Sequence, residues 1–154
     1  MAAQQRTHSP RQQAALVRFL ENHDTVAAQE FFGVGPSQAL TALCAFVPGV
    51  LLLYQEEEIG FAPELRKWLR LRQELPELKR GQADFESVTA GDPQVLAFLR
   101  FTGTQASLVA INFGPSASLC RLEWDPAWRR RLPVCQEALT GERFEPGQPL
   151  LIPA

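Results

Sequence analysis

Two apolar runs in this chain each end in a cluster of polar and acidic residues. Phe19-Leu20 is followed by Glu21-Asn22-His23-Asp24, and Val50-Leu51-Leu52-Leu53-Tyr54 is followed by Gln55-Glu56-Glu57-Glu58. Because continuous apolar runs are typical of strands in a parallel sheet, we expect both clusters at the carboxyl ends of neighbouring strands. Active sites of β/α barrels lie at that edge, where carboxylates can take part in acid–base or nucleophilic chemistry. The sequence therefore predicts part of an acidic site.

The length of the chain limits this prediction. Its 154 residues can form one large core or two small ones, whereas a closed eight-stranded barrel needs roughly 250 residues. A complete barrel enzyme is therefore excluded. The composition, 45% hydrophobic and 21% charged, is that of a soluble globular protein. A net charge of -2 gives no excess of basic residues for binding nucleic acid or an anionic membrane, so we expect neither as a partner.

The cysteines and the start of the chain bear on cofactors and location. Cys44, Cys120 and Cys135 are an odd number at long spacings, which fits neither a zinc site nor a disulfide framework. We expect reduced, structural thiols, with no metal site and no cofactor in this sequence. No apolar core of a secretory signal follows Met1, which favours a cytoplasmic location. The apolar stretch from Ala39 to Tyr54 is split by Pro48-Gly49 and is shorter than the ~20 residues of a membrane span.

Helix signals surround the two runs. Ser9-Pro10 predicts a capped helix that leads into a strand over Val17 to Leu20. Pro36 predicts the start of a buried helix that runs to about Phe46, before the strand Val50 to Tyr54. The segment from Thr25 to Phe32 is mixed in pattern, and Gly33-Val34-Gly35 loosens the backbone before this helix.

A third helix is predicted from Pro63 and Glu64, with an apolar side that includes Trp68. Four basic residues are placed on its other side: Arg66, Lys67, Arg70 and Arg72. We interpret this side as a solvated surface, with an anion site as the alternative.

From Gly81 onward the pattern changes to short strands separated by turn residues. The predicted strands are Asp84 to Val88, Val95 to Phe101, Ser107 to Phe113, Ser118 to Trp124, Val134 to Leu139 and Pro149 to Ile152. This change predicts two domains, residues 1–80 and residues 81–154, the second a small antiparallel β domain. Trp124 and Trp128 are assigned to core or edge packing, with stacking on sugar rings as the alternative.

Five segments, in order along the chain, resemble the α-amylase family of glycoside hydrolases, family thirteen. Phe19 to Asp24 resembles the fourth signature region, at the end of the seventh barrel strand. Pro48 to Gly60 resembles the eighth strand, usually P-G-x-P-L-x-Y-x-G-E-E-I-G. The segment from Leu65 to Gly81 is similar to the last barrel helix. The segments 95–100 and 108–113 are similar to the opening strands of the family's C-terminal β-sandwich.

The resemblance implies an α/β plus all-β chain. Residues 1–80 would form the last two β/α units of a TIM (β/α)8 barrel, and residues 81–154 a small antiparallel C-terminal β-sandwich. Two departures from the family pattern stand out. Thr25-Val26-Ala27 occupies a position where Pro-Arg is common, and Glu56 replaces the usual glycine.

The resemblance also implies a retaining α-glycosidase or transglycosidase that acts on α-glucosidic bonds. In such enzymes one carboxylate attacks the anomeric carbon, a second protonates the leaving oxygen, and a third aspartate stabilises the transition state. By position the third aspartate is Asp24, and His23 is the neighbour that binds sugar hydroxyls. Glu57 and Glu58 are interpreted as structural residues rather than as the missing acid and nucleophile, since adjacent residues of an extended segment point to opposite faces.

Strands one to six, which in the family carry the nucleophile and the acid/base residue, have no counterpart in this sequence. Hydrolysis by this chain alone is therefore not expected, and the expected partners are an N-terminal barrel portion and, in a complete enzyme, an α-glucan or maltooligosaccharide substrate. Any calcium site of a full-length parent would lie in the absent loops. The alternative is a non-catalytic interaction or carbohydrate-binding module built on the β-sandwich.

Overall fold

A computed structural model describes residues 8–57, 59 and 61–154, and these residues divide into two compact units. The first unit comprises the described residues up to Ala83 together with Arg100–Ser107, and the second comprises Asp84–Leu99 and Leu108–Ala154. The sequence predicts one boundary, after residue 80. In the structure the segment Arg100–Ser107, which lies further along the chain, also belongs to the first unit.

The first unit contains helices and a pair of short strands. Its elements are α1 (Pro10–Ala15), β1 (Val17–Arg18), α2 (Ala28–Phe32), α3 (Val34–Phe46), β2 (Val50–Leu51), α4 (Ala62–Glu74) and α5 (Pro76–Arg80). The predicted cap of α1 is confirmed, because the Ser9 hydroxyl accepts from the Gln12 backbone N–H while the Gln12 side chain accepts from the Ser9 N–H.

Two expectations for this unit were wrong in detail, and one helix, α2, was not predicted. Helix α3 begins at Val34 instead of Pro36, directly after Gly33, which has a φ of 85°. Both strands are shorter than predicted because regular pairing ends at Arg18 and Leu51.

Strands β1 and β2 are parallel, as predicted, with Val17 beside Val50 and Arg18 beside Leu51. Gly49 is required at the start of this pairing. Its φ is 140°, and a Cβ atom there would lie 2.5 Å from the carbonyl oxygen of Leu16, the same oxygen that accepts from the Val50 N–H at 2.8 Å.

Two arginines bind the chain between α3 and β2. Arg72 donates to the carbonyl oxygens of Ala45, Val47 and Gly49, and Arg100 donates to that of Phe46. Arg100 also donates to three carbonyl groups in α5 and just after it, at 2.8 to 3.2 Å: Leu78, Gly81 and Gln82. Burial, reinforced by the charge of Arg72 and opposed by Glu77, lowers the pKa of Arg100 to about 10. Arg72 therefore does not belong to a solvated face, which corrects the expectation for the basic side of α4.

The second unit is built from antiparallel strands. Its strands, with those shared with the first unit, are β3 (Gln82–Asp84), β4 (Val88–Ala90), β5 (Val95–Thr102), β6 (Gln105–Asn112), β7 (Ser118–Trp124), β8 (Cys135–Gln136), β9 (Arg143–Phe144) and β10 (Pro149–Ile152), and helix α6 spans Pro126–Arg131. The sheet orders are β10-β7-β4, β3-β5-β6 and β8-β9.

Strands of both three-stranded sheets contribute to one apolar core. Its buried members are Val88, Val95, Ala97, Leu99, Cys120, Leu122 and Ile152. Along β7 the side chains alternate between this core and solvent, as expected for a half-buried strand. Mixed helices and antiparallel sheets are thus confirmed.

The strand expected over Asp84 to Val88 is wrong. The Asp84 carboxylate accepts from the backbone N–H groups of Glu86 and Ser87, which turns the chain between β3 and β4. Helix α6, capped by Asp125, was not predicted. None of the helices in the described part of the chain is long and apolar enough to cross a membrane.

Candidate functional site

The loops that follow β1 and β2 form the candidate site. Because the two strands are parallel, both loops leave the sheet at the same edge, as the sequence predicts. The side-chain amide of Gln29, after the first loop, donates to the carbonyl oxygen of Ile59, in the second, at 2.5 Å. A hydrogen bond therefore links the second loop to helix α2, which directly follows the first loop.

His23 and Asp24 lie at the outer end of the first loop. Their side chains are 78% and 79% exposed, and His23 Nε2 lies 3.4 Å from Asp24 Oδ2. The backbone around them is fixed by Asn22, whose side-chain oxygen accepts from the Asp24 N–H at 2.8 Å, and by Thr25, whose hydroxyl accepts from the Asn22 N–H at 2.9 Å. The pair is thus presented to solvent on an ordered turn, where both side chains are accessible to a ligand.

Glu21 holds the base of this loop, a role that the sequence analysis missed. Its side chain is buried, and Oε1 accepts from the backbone N–H of Ala28, the first residue of α2, at 2.7 Å. A carboxylate at a helix N-terminus satisfies a free N–H and interacts favourably with the helix dipole.

Glu57 performs a similar structural role in the second loop. It is buried, with Oε2 accepting from the Tyr54 N–H at 3.1 Å and Oε1 accepting from the Thr41 hydroxyl of α3 at 3.2 Å. Burial and the charge of Glu57 raise the pKa of Cys44, with Arg18 opposing, so this thiol is not an activated nucleophile. These contacts support the structural interpretation of Glu57, while Glu58 and Gly60 lie outside the described residues.

Glu56 occupies a backbone conformation that favours glycine. Its φ is 68°, in the left-handed region, and it is the residue that stands where the family motif has glycine. The second loop therefore keeps the turn of the motif with a residue that is less suited to it.

Trp124 and Trp128, in the second unit, were the alternative candidates for binding sugar. Both pack against the core of that unit. The guanidinium carbon of Arg131 lies 4.6 Å from the centre of the Trp128 ring, and Trp128 also forms a hydrogen bond with Asp84. These contacts favour the packing role.

A metal centre is not found in the described part of the chain, where no three His, Cys, Asp or Glu side chains are grouped so that they could bind an ion. The absence of a cofactor remains a prediction for the protein.

The fold is similar to those of solved α-amylases. A noncanonic maltogenic α-amylase, AmyB, from Thermotoga neapolitana matches 89% of this chain with 39% of its own, at a TM-score of 0.69 and 15% identity. An α-amylase from Geobacillus thermoleovorans, solved in complex with acarbose, matches 91% of this chain with 37% of its own, at a TM-score of 0.66 and 22% identity. No family model and no curated protein matches the sequence.

The chain thus spans less than two fifths of either solved neighbour. At these identities the similarity concerns the fold alone. The resemblance to the α-amylase family that the motifs predicted is confirmed at that level: this chain has the fold of part of an α-amylase.

Proposed function

We propose that this chain is the C-terminal portion of a retaining α-glycosidase or transglycosidase of the α-amylase family, which acts on α-glucosidic bonds. Its first unit supplies the last two β/α units of a TIM barrel and its second unit a C-terminal β-sandwich. The nucleophile and the acid/base residue come from barrel strands outside this sequence. The substrate class is an α-glucan or maltooligosaccharide.

One observation carries this proposal: the parallel pairing of β1 and β2, which brings the loop with His23 and Asp24 to the same edge as the loop with Glu57. That edge is the active-site face of β/α barrels, and the solved neighbours with this fold are α-amylases. Glu21 and Glu57 are both buried in hydrogen bonds. Among the described acidic residues of the two loops, Asp24 and Glu56 are exposed, and Asp24 is the one that the resemblance assigns to the transition state.

Asp24 acts on the transition state in this proposal. Cleavage of a glycosidic bond passes through an oxocarbenium-like transition state with a distorted ring. A fixed carboxylate that accepts hydrogen bonds from the ring hydroxyls binds the distorted sugar more tightly than the relaxed one, and this difference increases the rate. His23, 3.4 Å from Asp24, binds a neighbouring hydroxyl.

A chimera tests the proposal. This chain replaces the matching part of the Geobacillus thermoleovorans α-amylase, and hydrolysis of a chromogenic maltooligosaccharide is measured. We expect Asp24→Asn to lower kcat by about 100-fold or more, the effect of losing one preorganised transition-state contact. We expect His23→Ala to lower kcat/KM by about tenfold, since a lost hydrogen bond costs about 1.4 kcal/mol.

Glu30→Gln is the matched control, because it also removes an exposed carboxylate, from helix α2 in the same unit. It should leave both constants unchanged. A chimera that folds and hydrolyses the substrate equally well with Asn at position 24 would refute the role of Asp24. A folded chimera without activity would count against the glycosidase itself.

A further inference from the structure

Helix α2 is too short to hold its own position. It has five residues, Ala28–Phe32, and its N-cap residue, Ala27, has no side-chain acceptor for the free N–H groups of the first turn. Isolated helices of fewer than about 12–15 residues are marginal in water. The position of α2 therefore depends on its contacts with other parts of the first unit.

One of these contacts closes the first loop at its base. The buried carboxylate of Glu21 accepts from the N–H of Ala28 at 2.7 Å, so the hydrogen bond joins the two ends of the segment that carries His23 and Asp24. A hydrogen bond to an ionised acceptor is roughly twice as strong as a neutral one. Because Glu21 is buried, little water competes for this contact.

The loop inside this closure is itself ordered. The Asn22 carbonyl oxygen accepts from the Thr25 N–H at 3.2 Å, and the Thr25 hydroxyl accepts from the Asn22 N–H at 2.9 Å. The Asn22 side chain accepts from the Asp24 N–H at 2.8 Å. Only two residues separate this turn from Ala28. A shift of the first residue of α2 is therefore passed to the turn that carries Asp24.

A second contact binds α2 to the other loop. The side-chain amide of Gln29, the residue after Ala28, donates to the carbonyl oxygen of Ile59 at 2.5 Å. The N–H of Ile59 in turn donates to the carbonyl oxygen of Glu56 at 3.0 Å, which makes Ile59 part of the second loop. Two adjacent residues of α2 thus bind both loops. These two hydrogen bonds, from Ala28 to Glu21 and from Gln29 to Ile59, are here named the α2 bridge.

We propose that Glu21 and Gln29 are positioning residues, which act through helix α2 to hold Asp24 at a fixed place relative to the second loop. The proposal rests on the proposed function, because it concerns the geometry in which Asp24 meets the distorted sugar. The carboxylate of Glu21 and the amide of Gln29 are both used within the bridge. Displacement of a catalytic group by about 1 Å can cost about 100-fold in rate, so the bridge affects catalysis without touching the sugar.

Two substitutions of Glu21 in the chimera described above test the proposal, with kcat and KM measured separately. Glu21→Ala removes the acceptor and should lower kcat by about 10- to 100-fold, with KM changed less than about twofold, since Asp24 acts in the transition state. Glu21→Gln keeps an oxygen that can accept from Ala28 and should retain kcat within about threefold. This rescue would assign the effect to the hydrogen bond.

Gln29→Met tests the other half of the bridge. Methionine has a similar length but no N–H to donate to Ile59, and the partly exposed position keeps the fold intact. We expect kcat to fall by about tenfold. Glu30→Ala is the matched control, because it removes an exposed side chain from the next position of the same helix. It should change kcat less than about twofold.

A double-mutant cycle with Asp24→Asn distinguishes positioning from general stability. If Glu21 acts through Asp24, then adding Glu21→Ala to Asp24→Asn should lower kcat by less than about twofold, since residues that act as a unit are not additive. A role in stability alone would lower the folded fraction equally in both backgrounds, which thermal unfolding detects. If Glu21→Ala does not fold, Gln29→Met takes its place in the cycle.

Amide hydrogen exchange in this chain by itself measures the loop without a substrate. Glu21→Ala should speed exchange at Asp24 and Ala28 by about tenfold, since the loop opens more often once its base is released. Glu21→Gln and Glu30→Ala should leave these rates nearly unchanged.

Three results would overturn the positioning role while leaving the proposed function intact. They are full additivity with Asp24→Asn, an unchanged kcat in folded Glu21→Ala and Gln29→Met chimeras, and exchange at Asp24 that does not respond to Glu21→Ala. A parent chimera that folds but does not cleave the substrate would instead refute the proposed function, and this inference with it.

Discussion

The two units of this protein cover their apolar strands to different extents. In the second unit every other residue of β7 is buried in a core to which strands of both three-stranded sheets contribute. The exposed leucines Leu119, on β7, and Leu151, on β10, point to solvent. In the first unit, by contrast, the apolar side chains of Val17, Phe19, Val50 and Leu52 along the parallel pair are exposed to water. Antiparallel strands with one solvated face can complete a small unit by themselves, whereas a parallel pair needs further strands.

Limited proteolysis is the strongest test of this difference between the two units. We expect the first cuts before about residue 60 and a resistant fragment that begins near Gly81, because elements with an uncovered face open more readily. The difference in cleavage rate should be roughly tenfold or more. Mass spectrometry of a digestion time course measures it. Survival of an intact N-terminal half would contradict the expectation.

Arg100→Met tests what stabilises the first unit in place of a covered sheet. The variant loses hydrogen bonds to four carbonyl groups, and we expect a loss of about 3–5 kcal/mol in the free energy of unfolding. Urea unfolding measures the loss. Arg70→Met is the control, since Arg70 is exposed and pairs with Glu74 on the helix surface, and it should leave the free energy of unfolding nearly unchanged.

Leu122→Ala tests the core of the second unit. Leu122 is fully buried in the cluster that both sheets share, so truncation should cost about 2–5 kcal/mol. Leu119→Ala, on the same strand but facing solvent, should change stability by less than about 0.5 kcal/mol. If urea unfolding showed the same loss of stability for Leu122→Ala and Leu119→Ala, the two side chains would not lie on a buried and an exposed face of β7.

Glu56→Gly tests backbone strain in the second loop of the first unit. Because Glu56 has a φ of 68°, glycine should relieve strain and stabilise the unit by about 1 kcal/mol. Glu56→Ala keeps a Cβ atom and is the control, with no gain expected in thermal unfolding. A gain with alanine would attribute the effect to the lost charge instead.

The smallest expected effect is a pH dependence in the second unit. Burial raises the pKa of Asp84, but hydrogen bonds from the Ser87 hydroxyl and from the N–H groups of Glu86 and Ser87, with one from Trp128, outweigh burial and hold it below its ordinary value. A lowered folded pKa means that Asp84 contributes stability above its unfolded value of about 3.9 and loses it as the pH falls through the folded value.

Asp84→Asn should therefore lower Tm at pH 7, and the difference from the parent should shrink below about pH 4. Glu123→Gln, an exposed change on β7, serves as the control. A constant difference in Tm across this range would show that the carboxylate charge is not involved.

The sequence predicted the regular parts of both units. Strands β7 and β10 lie where short runs between turn residues predicted them, and the parallel pair lies where the two apolar runs indicated. The structural use of Glu57 was also expected. These features follow from local patterns that a single segment carries.

Other features depend on partners far away in the chain. The acceptors of Arg100 are backbone carbonyl groups near residues 46 and 80. No pattern of side chains in the sequence predicts that these carbonyl groups lie close to Arg100. The role of Glu21 depends on where α2 begins, and the mixed pattern of that segment did not indicate a helix. Helix α6 could have been found, because Asp125-Pro126 is a helix-start signal.

The hydrogen bonds from Arg72 and Arg100 to the chain between α3 and β2 restrict the backbone that leads into β2. Fixing one backbone residue costs about 1–2 kcal/mol of conformational entropy, which such hydrogen bonds help to offset. Two guanidinium groups with no place at the candidate site thus hold the segment that sets the position of β2 and, after it, the second loop of that site.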